Sequence, residues 1–394
     1  GKGKAVFFQR TFRFIARLSL LLIFLLINGC TTRRVENDFY SKLRLHPDRG
    51  ACIRRFPLFP VSGPQGEYSA YAGTFQYWRV KTSPDIIEKT AAVSATRQES
   101  FEYCIEKMAV AHGLWMYASP IPMDALKKRL QQGIPVIVPL QEAPLDPASR
   151  HFVVVTGYDD VDQTLLVNNM MPAQAVWKYP DFLKKWSVQR FSATTLSPPT
   201  LADRPLNEDE RLSRARFYEA TRRYDEAIND YQLVLAANSR SSLAYTGLGN
   251  VCRDQNKTDQ AEKMYRKALA ANPMDGKAYN NLAYLLAEDS RHLDEAVALA
   301  RQAVILDAGN PMTLDTLGYA LLQQGKLGEA ASVLERARSK AKSYPLNIRT
   351  AIGLHLAWTH YKAEQWHLAI EVLKDIQRQD PQAVIPEPLK GLLK

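Results

Sequence analysis

Five short stretches decide how the C-terminal half must be read: Tyr224-Asp225-Glu226-Ala227, Thr258-Asp259-Gln260-Ala261, Leu293-Asp294-Glu295-Ala296, Leu327-Gly328-Glu329-Ala330 and Trp366-His367-Leu368-Ala369. Their alanines fall at intervals of 34, 35, 34 and 39 residues. The residues around them repeat as well. Tyr245, Leu248, Gly249 and Cys252 stand at helical spacing, followed by Ala261, Tyr265, Ala268 and Pro273. The next unit offers Tyr279, Leu282, Ala283 and Leu286, then Ala296, Ala300 and Ala303. The fourth offers Leu314, Leu317, Gly318 and Leu321, then Ala330, Leu334 and Ala337. Each unit therefore reads as two helices. Small residues sit where the pair must approach closely, and large ones fill the space between turns. Pro273 and Pro381 end their helices because proline cannot continue one.

A period of 34 residues with one helix–turn–helix per unit is that of the tetratricopeptide repeat. About five such units are expected over residues 208–394 as an all-α solenoid. Its first unit is poor in small residues, and its last follows an insertion near Tyr344-Pro345, as the atypical ends of a stack should be. His355, His360 and His367 are scattered and suggest no chemistry. Such a stack presents a concave face to a protein or peptide.

The other end of the chain has a different texture. Lys2, Lys4, Arg10, Arg13 and Arg17 precede the apolar stretch Leu18–Ile27, which leads into Asn28-Gly29-Cys30. Ten residues are too few to span a bilayer comfortably but suit the apolar region of an export signal. Leu26-Ile27-Asn28-Gly29-Cys30 resembles a lipobox, which implies a lipid on Cys30 after removal of residues 1–29. Thr31 follows the cysteine where an Asp would resemble an inner-membrane retention signal, so the expected address is the outer membrane, facing the periplasm. Residues 30–54 then read as a tether.

Charge adds little. The net charge is +10, but residues 1–29 carry five basic residues and no acids, and the remainder is spread along the chain. No nucleic-acid motif accompanies it, so no nucleic-acid partner is expected. Cys52, Cys104 and Cys252 are an odd set with no Cys-x-x-Cys pair or histidine cluster, which gives no metal site and no cofactor.

Between tether and repeats lies an expected α+β domain, residues 55–197, with a linker at 198–207. Met123–Gln132 reads as a helix, Pro135–Leu140 as a buried strand, and His151–Asp159 and Thr164–Asn168 as the next two strands. Ala175–Tyr179, a helix at Asp181–Trp186 and Arg190–Leu196 complete it.

The series Leu130-x-x-Gly133-x-Pro135-Val136-Ile137-Val138, then His151-Phe152-Val153-Val154-Val155-x-Gly157-Tyr158-Asp159, then a strand ending near Asn169, resembles the double-glycine, bacteriocin-processing group of papain-like cysteine peptidases. In particular it resembles members fused to tetratricopeptide repeats in Gram-negative lipoproteins. The resemblance implies a Cys nucleophile at a helix N-terminus, a His base, an Asp or Asn that orients the His, and an upstream Gln that completes the oxyanion hole. His151 matches the base, and Asn169 falls where the family usually has Asp. Tyr77-Trp78-Arg79-Val80-Lys81-Thr82-Ser83-Pro84 resembles the end of the nucleophile helix and the start of the next. Counting back from it without a gap puts Gly66 at the nucleophile position and Val61 at the oxyanion position, 85 residues separating Gly66 from His151. Neither residue supplies the needed side chain, so the domain is expected to be a degenerate peptidase that has lost covalent catalysis. The alternative is an active peptidase using Cys104, with Gln98 six residues before it, together with His151 and Asn169; only 47 residues then separate nucleophile from base.

Overall fold

The computed structural model describes residues 34–59, 66–96, 99–146, 149–168, 174–201 and 205–393. The expected signal and Cys30 lie outside them. The chain forms two compact units, one of residues up to Ala91 with Glu106–Arg204, the other of Ala92–Ile105 with Pro205–Lys394.

The first unit is built on a sheet whose strands run in the order β2 (Trp115–Pro120), β7 (Ser192–Ser197), β3 (Val136–Gln141), β4 (Arg150–Asp159), β5 (Thr164–Asn168), β6 (Gln174–Lys178), each antiparallel to its neighbour. All of β3 is buried, as its unbroken Val-Ile-Val run requires of a strand covered on both faces. On one face Val136, Val138, Leu140, Val153 and Val155 pack against Leu126 and Leu130 of α5 (Met123–Gln131) and against Phe182 and Trp186 of α6 (Tyr179–Val188).

Residues 34–54 are not the tether expected from their composition. Residues 34–45 form helix α1, which buries Phe39 and Leu43 against Leu166. Gly50–Cys52 form strand β1, which pairs with Asp159–Gly157 beyond the point where β3 stops accompanying β4. An ion pair fastens the junction. The Arg49 guanidinium donates to both oxygens of the Asp159 carboxylate, at 3.2 and 2.9 Å through Nη2. The same carboxylate accepts from the backbone N–H groups of Val161 and Asp162 at 2.9 and 3.0 Å. A buried carboxylate needs this many donors to offset its lost hydration.

The second unit contains ten consecutive helices in five antiparallel pairs, α7 (Glu208–Ala220) with α8 (Tyr224–Ala237), α9 (Ser242–Asp254) with α10 (Thr258–Ala271), α11 (Gly276–Glu288) with α12 (Leu293–Leu306), α13 (Pro311–Gln323) with α14 (Leu327–Lys340), and α15 (Leu346–Lys362) with α16 (Trp366–Gln379). The five marker alanines are fully buried. Glycines on the first helices admit a large side chain from the second. A Cβ on Gly249 would lie 2.4 Å from the Tyr265 ring, and one on Gly318 would lie 2.4 Å from Leu334. The insertion before the last pair is a single 3-10 turn, Ala341–Ser343, followed by a longer α15.

Ala261→Leu and Ala296→Leu should each overpack a helix pair and cost about 1–3 kcal/mol. Urea denaturation of the two variants reads this directly, and unchanged midpoints at both would show that the alanines are not the contact positions.

Candidate functional site

Helix α2 (Glu67–Tyr77) buries every residue from Ser69 to Phe75, which places it inside the unit instead of on its surface. Its small residues, Ser69, Ala70, Ala72, Gly73 and Thr74, let neighbouring segments approach it closely, while Tyr71 and Phe75 fill the remaining space. Gly73 lies so close to its neighbours that a Cβ would meet the Pro57 carbonyl oxygen at 2.8 Å.

Hydrogen bonds fix the C-terminal end of α2. The Tyr77 hydroxyl donates to Gly133 O at 2.9 Å, and the Trp78 indole N–H donates to Leu196 O at 2.6 Å. Both acceptors belong to the end of the sheet where Val136 begins β3, beside Thr195 of β7 and Val155 of β4. Helix α2 packs against β4, and its 11 residues span about 16 Å. The N-terminus of α2, with Gly66 as its cap, therefore lies about one helix length from the Tyr77 and Trp78 anchors.

Gly66 is buried and has φ 80° and ψ 9°, a left-handed cap with no side chain to bond the first amides. His151 is half-buried, pairs with Leu140 across the sheet, and has Nδ1 3.4 Å from Ser149 O. Glu142, just after β3, donates nothing but accepts from Lys185 Nζ at 2.5 Å. That hydrogen bond and the Lys185 charge hold its carboxyl below the usual range, and the field of His151 acts in the same direction. Gln141 braces the loop between β3 and β4. Its Nε2 donates to Ala143 O at 2.8 Å and Asp146 O at 3.0 Å, while its Oε1 accepts from Gln189. The Gln141, Glu142 and Lys185 group escapes a reading of the sequence because it joins positions 43 or more residues apart.

Asn169, Val61 and Gln98 lie outside the described residues. The neighbouring Asn168 is fully buried and engaged within the sheet: its Nδ2 donates to Thr156 Oγ1 at 2.5 Å, and its Oδ1 accepts from Gln174 at 2.6 Å. Cys104 is 2% exposed on α4 (Phe101–Ala111) and falls in the second unit, whereas His151 falls in the first. Cys52, on β1, pairs with Gly157, six residues along β4 from His151, and burial pushes its thiol up to about 12. Cys252 is in the repeats, and burial raises its pKa too. A reactive thiol needs exposure and a lowered pKa. Cys52, Cys104 and Cys252 are all free. Among the described residues, His151 thus stands near the start of β4, and the cap of α2 is a glycine that carries no sulfur.

A curated TPR repeat-containing protein of Pseudomonas aeruginosa is 29% identical over 132 residues, 33% of this chain and 20% of that protein. The chain thus matches only about a fifth of that relative's length. Similar solved structures include YrrB, titled a TPR protein with an unusual peptide-binding site (21% identity, 45% of this chain and 88% of that one, TM-score 0.36). A thermophilic TPR protein of Thermus thermophilus is also similar (16% identity, 48% and 99%, TM-score 0.40). So is the type IV pilus biogenesis factor PilW (19% identity, 45% and 79%, TM-score 0.41). Among family models, residues 246–311 match a tetratricopeptide repeat. Residues 68–194 match the Peptidase_C39 like family, so the chain carries a C39-like peptidase domain followed by a tetratricopeptide repeat region.

Proposed function

We propose that this is a lipid-anchored envelope protein whose C39-like domain no longer performs covalent catalysis and whose repeat array binds a protein or peptide. The observation that carries the loss of catalysis is the conformation of Gly66. At φ 80° an L-residue is strained, so the cap suits a bare backbone and disfavours a nucleophile's side chain. The half-buried His151 remains at the start of β4, where its ring can still hydrogen-bond a peptide. The buried state of Cys104 supports the same reading.

Two measurements address the domain. Wild-type protein should cleave no double-glycine peptide, and a thiol-reactive peptide probe should label it no faster than His151→Ala protein. Cleavage that disappears in Cys104→Ala would establish the active alternative instead. Gly66→Ala should destabilise the fold by about 1–2 kcal/mol through its left-handed backbone alone. An unchanged unfolding midpoint would remove the conformational argument.

The anchor rests on Leu26-Ile27-Asn28-Gly29-Cys30, with an outer-membrane address facing the periplasm suggested by Thr31. Labelled palmitate should enter the wild-type protein and not Cys30→Ser; labelling of both would exclude acylation at this cysteine.

A further inference from the structure

The first helices of successive repeat pairs pack on one another, α11 on α13 and α13 on α15. Along this wall the side chains link up in a way that core packing does not require. At one end the Glu219 carboxylate accepts from the Tyr231 hydroxyl at 2.9 Å and from Asn250 Nδ2 at 3.2 Å. Asn250 Oδ1 in turn accepts from Asn281 Nδ2 at 2.9 Å. One turn further along α11, Tyr284 stacks on Tyr319 at 5.3 Å, and Tyr319 stacks on His355 at 4.7 Å, with interplanar angles of 25° and 28°. All three rings are only half-buried. Because their faces are turned to one another, what they offer outward is a strip of ring edges and phenol hydroxyls.

The charge beside the strip is one-sided. Burial, with the fields of Glu288 and Asp315 added, pushes the Tyr284 hydroxyl up to about 12, so it is a neutral donor and acceptor. The Glu288 field reaches Tyr319 as well. The Arg253 field opposes these at Tyr284, and Arg253 Nη2 already donates to Asp254 at 3.2 Å. Two carboxylates, Glu288 and Asp315, thus act on Tyr284 against the Arg253 guanidinium. His355 Nδ1 sits 2.8 Å from Asp315 Oδ1. Glu288 is exposed and has no hydrogen-bond or ion-pair partner among the described contacts. On the same face one turn before Tyr284, Asn280 Oδ1 is buried and no donor among the described residues reaches it. Excess carboxylate, spare acceptors and flat ring edges all call for a ligand that brings donors and positive charge.

We propose that the wall formed by α11, α13 and α15 takes an extended peptide through an Arg or Lys side chain, whose cationic head is held by Glu288 and Asp315 and whose aliphatic stem lies along the Tyr284–Tyr319 edges. This rests on the reading of the array as a peptide binder and adds the charge of the ligand. The stem covers apolar ring edge while the head stays at the carboxylates, the division of labour that long basic side chains make elsewhere.

The test uses the full chain and three fluorescein-labelled, end-blocked octapeptides that alternate alanine with arginine, glutamine or glutamate, titrated by fluorescence anisotropy at low and moderate salt. The arginine peptide should bind at least tenfold more tightly than the glutamine peptide, and the difference should shrink with salt. Glu288→Lys, at an exposed position, should abolish that preference. Tyr319→Leu should weaken the arginine peptide about fivefold, and Tyr319→Phe should largely preserve it. Equal binding of arginine and glutamine peptides, both weakened by Tyr319→Leu, overturns the charge preference and leaves the peptide-binding reading intact. A preference for arginine untouched by Glu288→Lys overturns the placement. No binding of any peptide at millimolar concentration overturns both readings.

Discussion

Both units depend on one form of contact: a bulky side chain or a passing strand lies on backbone that carries no Cβ. In the repeats the Tyr265 ring and Leu334 fill the space above Gly249 and Gly318. In the sheet unit, Phe56 and the Pro57 carbonyl lie on Gly73 of the buried helix, and Phe39 with the Ala51 carbonyl lies on Gly157 of β4. These contacts set spacing. The missing Cβ lets the intruding side chain rest on backbone, and its thickness then sets how closely the two helices pack, so the pair geometry repeats whenever the small residue repeats. The 34-residue period is the sequence record of that geometry.

This is why the repeats could be read without a structure, as could β3, β4 and β5, whose ends fall within a residue of expectation. Each is specified by its own local pattern. Strand β1 is not: Gly50-Ala51-Cys52 has no alternation, and its place depends on Asp159 and Gly157, more than a hundred residues away. Strand β2 was hidden for a similar reason. Trp115–Tyr117 continues the apolar pattern of helix α4, and only the left-handed turn at Gly113 (φ 69°) separates them.

The site was legible in part. The identity of Gly66 can be read directly, but its left-handed dihedral depends on how the chain enters α2. His151 was read as the base from its motif, whereas Gln141, Glu142 and Lys185 become neighbours only through the packing of α6 against β3. The Tyr284–Tyr319–His355 strip is a mixed case. The two tyrosines keep the repeat spacing, but the insertion before α15 shifts the register, so nothing in the sequence brings the imidazole onto the same stack.

The early start of folded structure bears on where this protein can stand. A flexible segment from Cys30 to Arg54 would let the sheet roam roughly 80 Å from an anchoring lipid. Residues 34–45 are helical, and α1 and β1 are fastened to the sheet by Leu166, Asp159 and Gly157. The four steps from Cys30 to Arg34 can span at most about 14 Å in any conformation. A protein acylated at Cys30 would hold its C39-like domain against the headgroups of its own leaflet, and any ligand of that domain would have to come down to the bilayer to meet it.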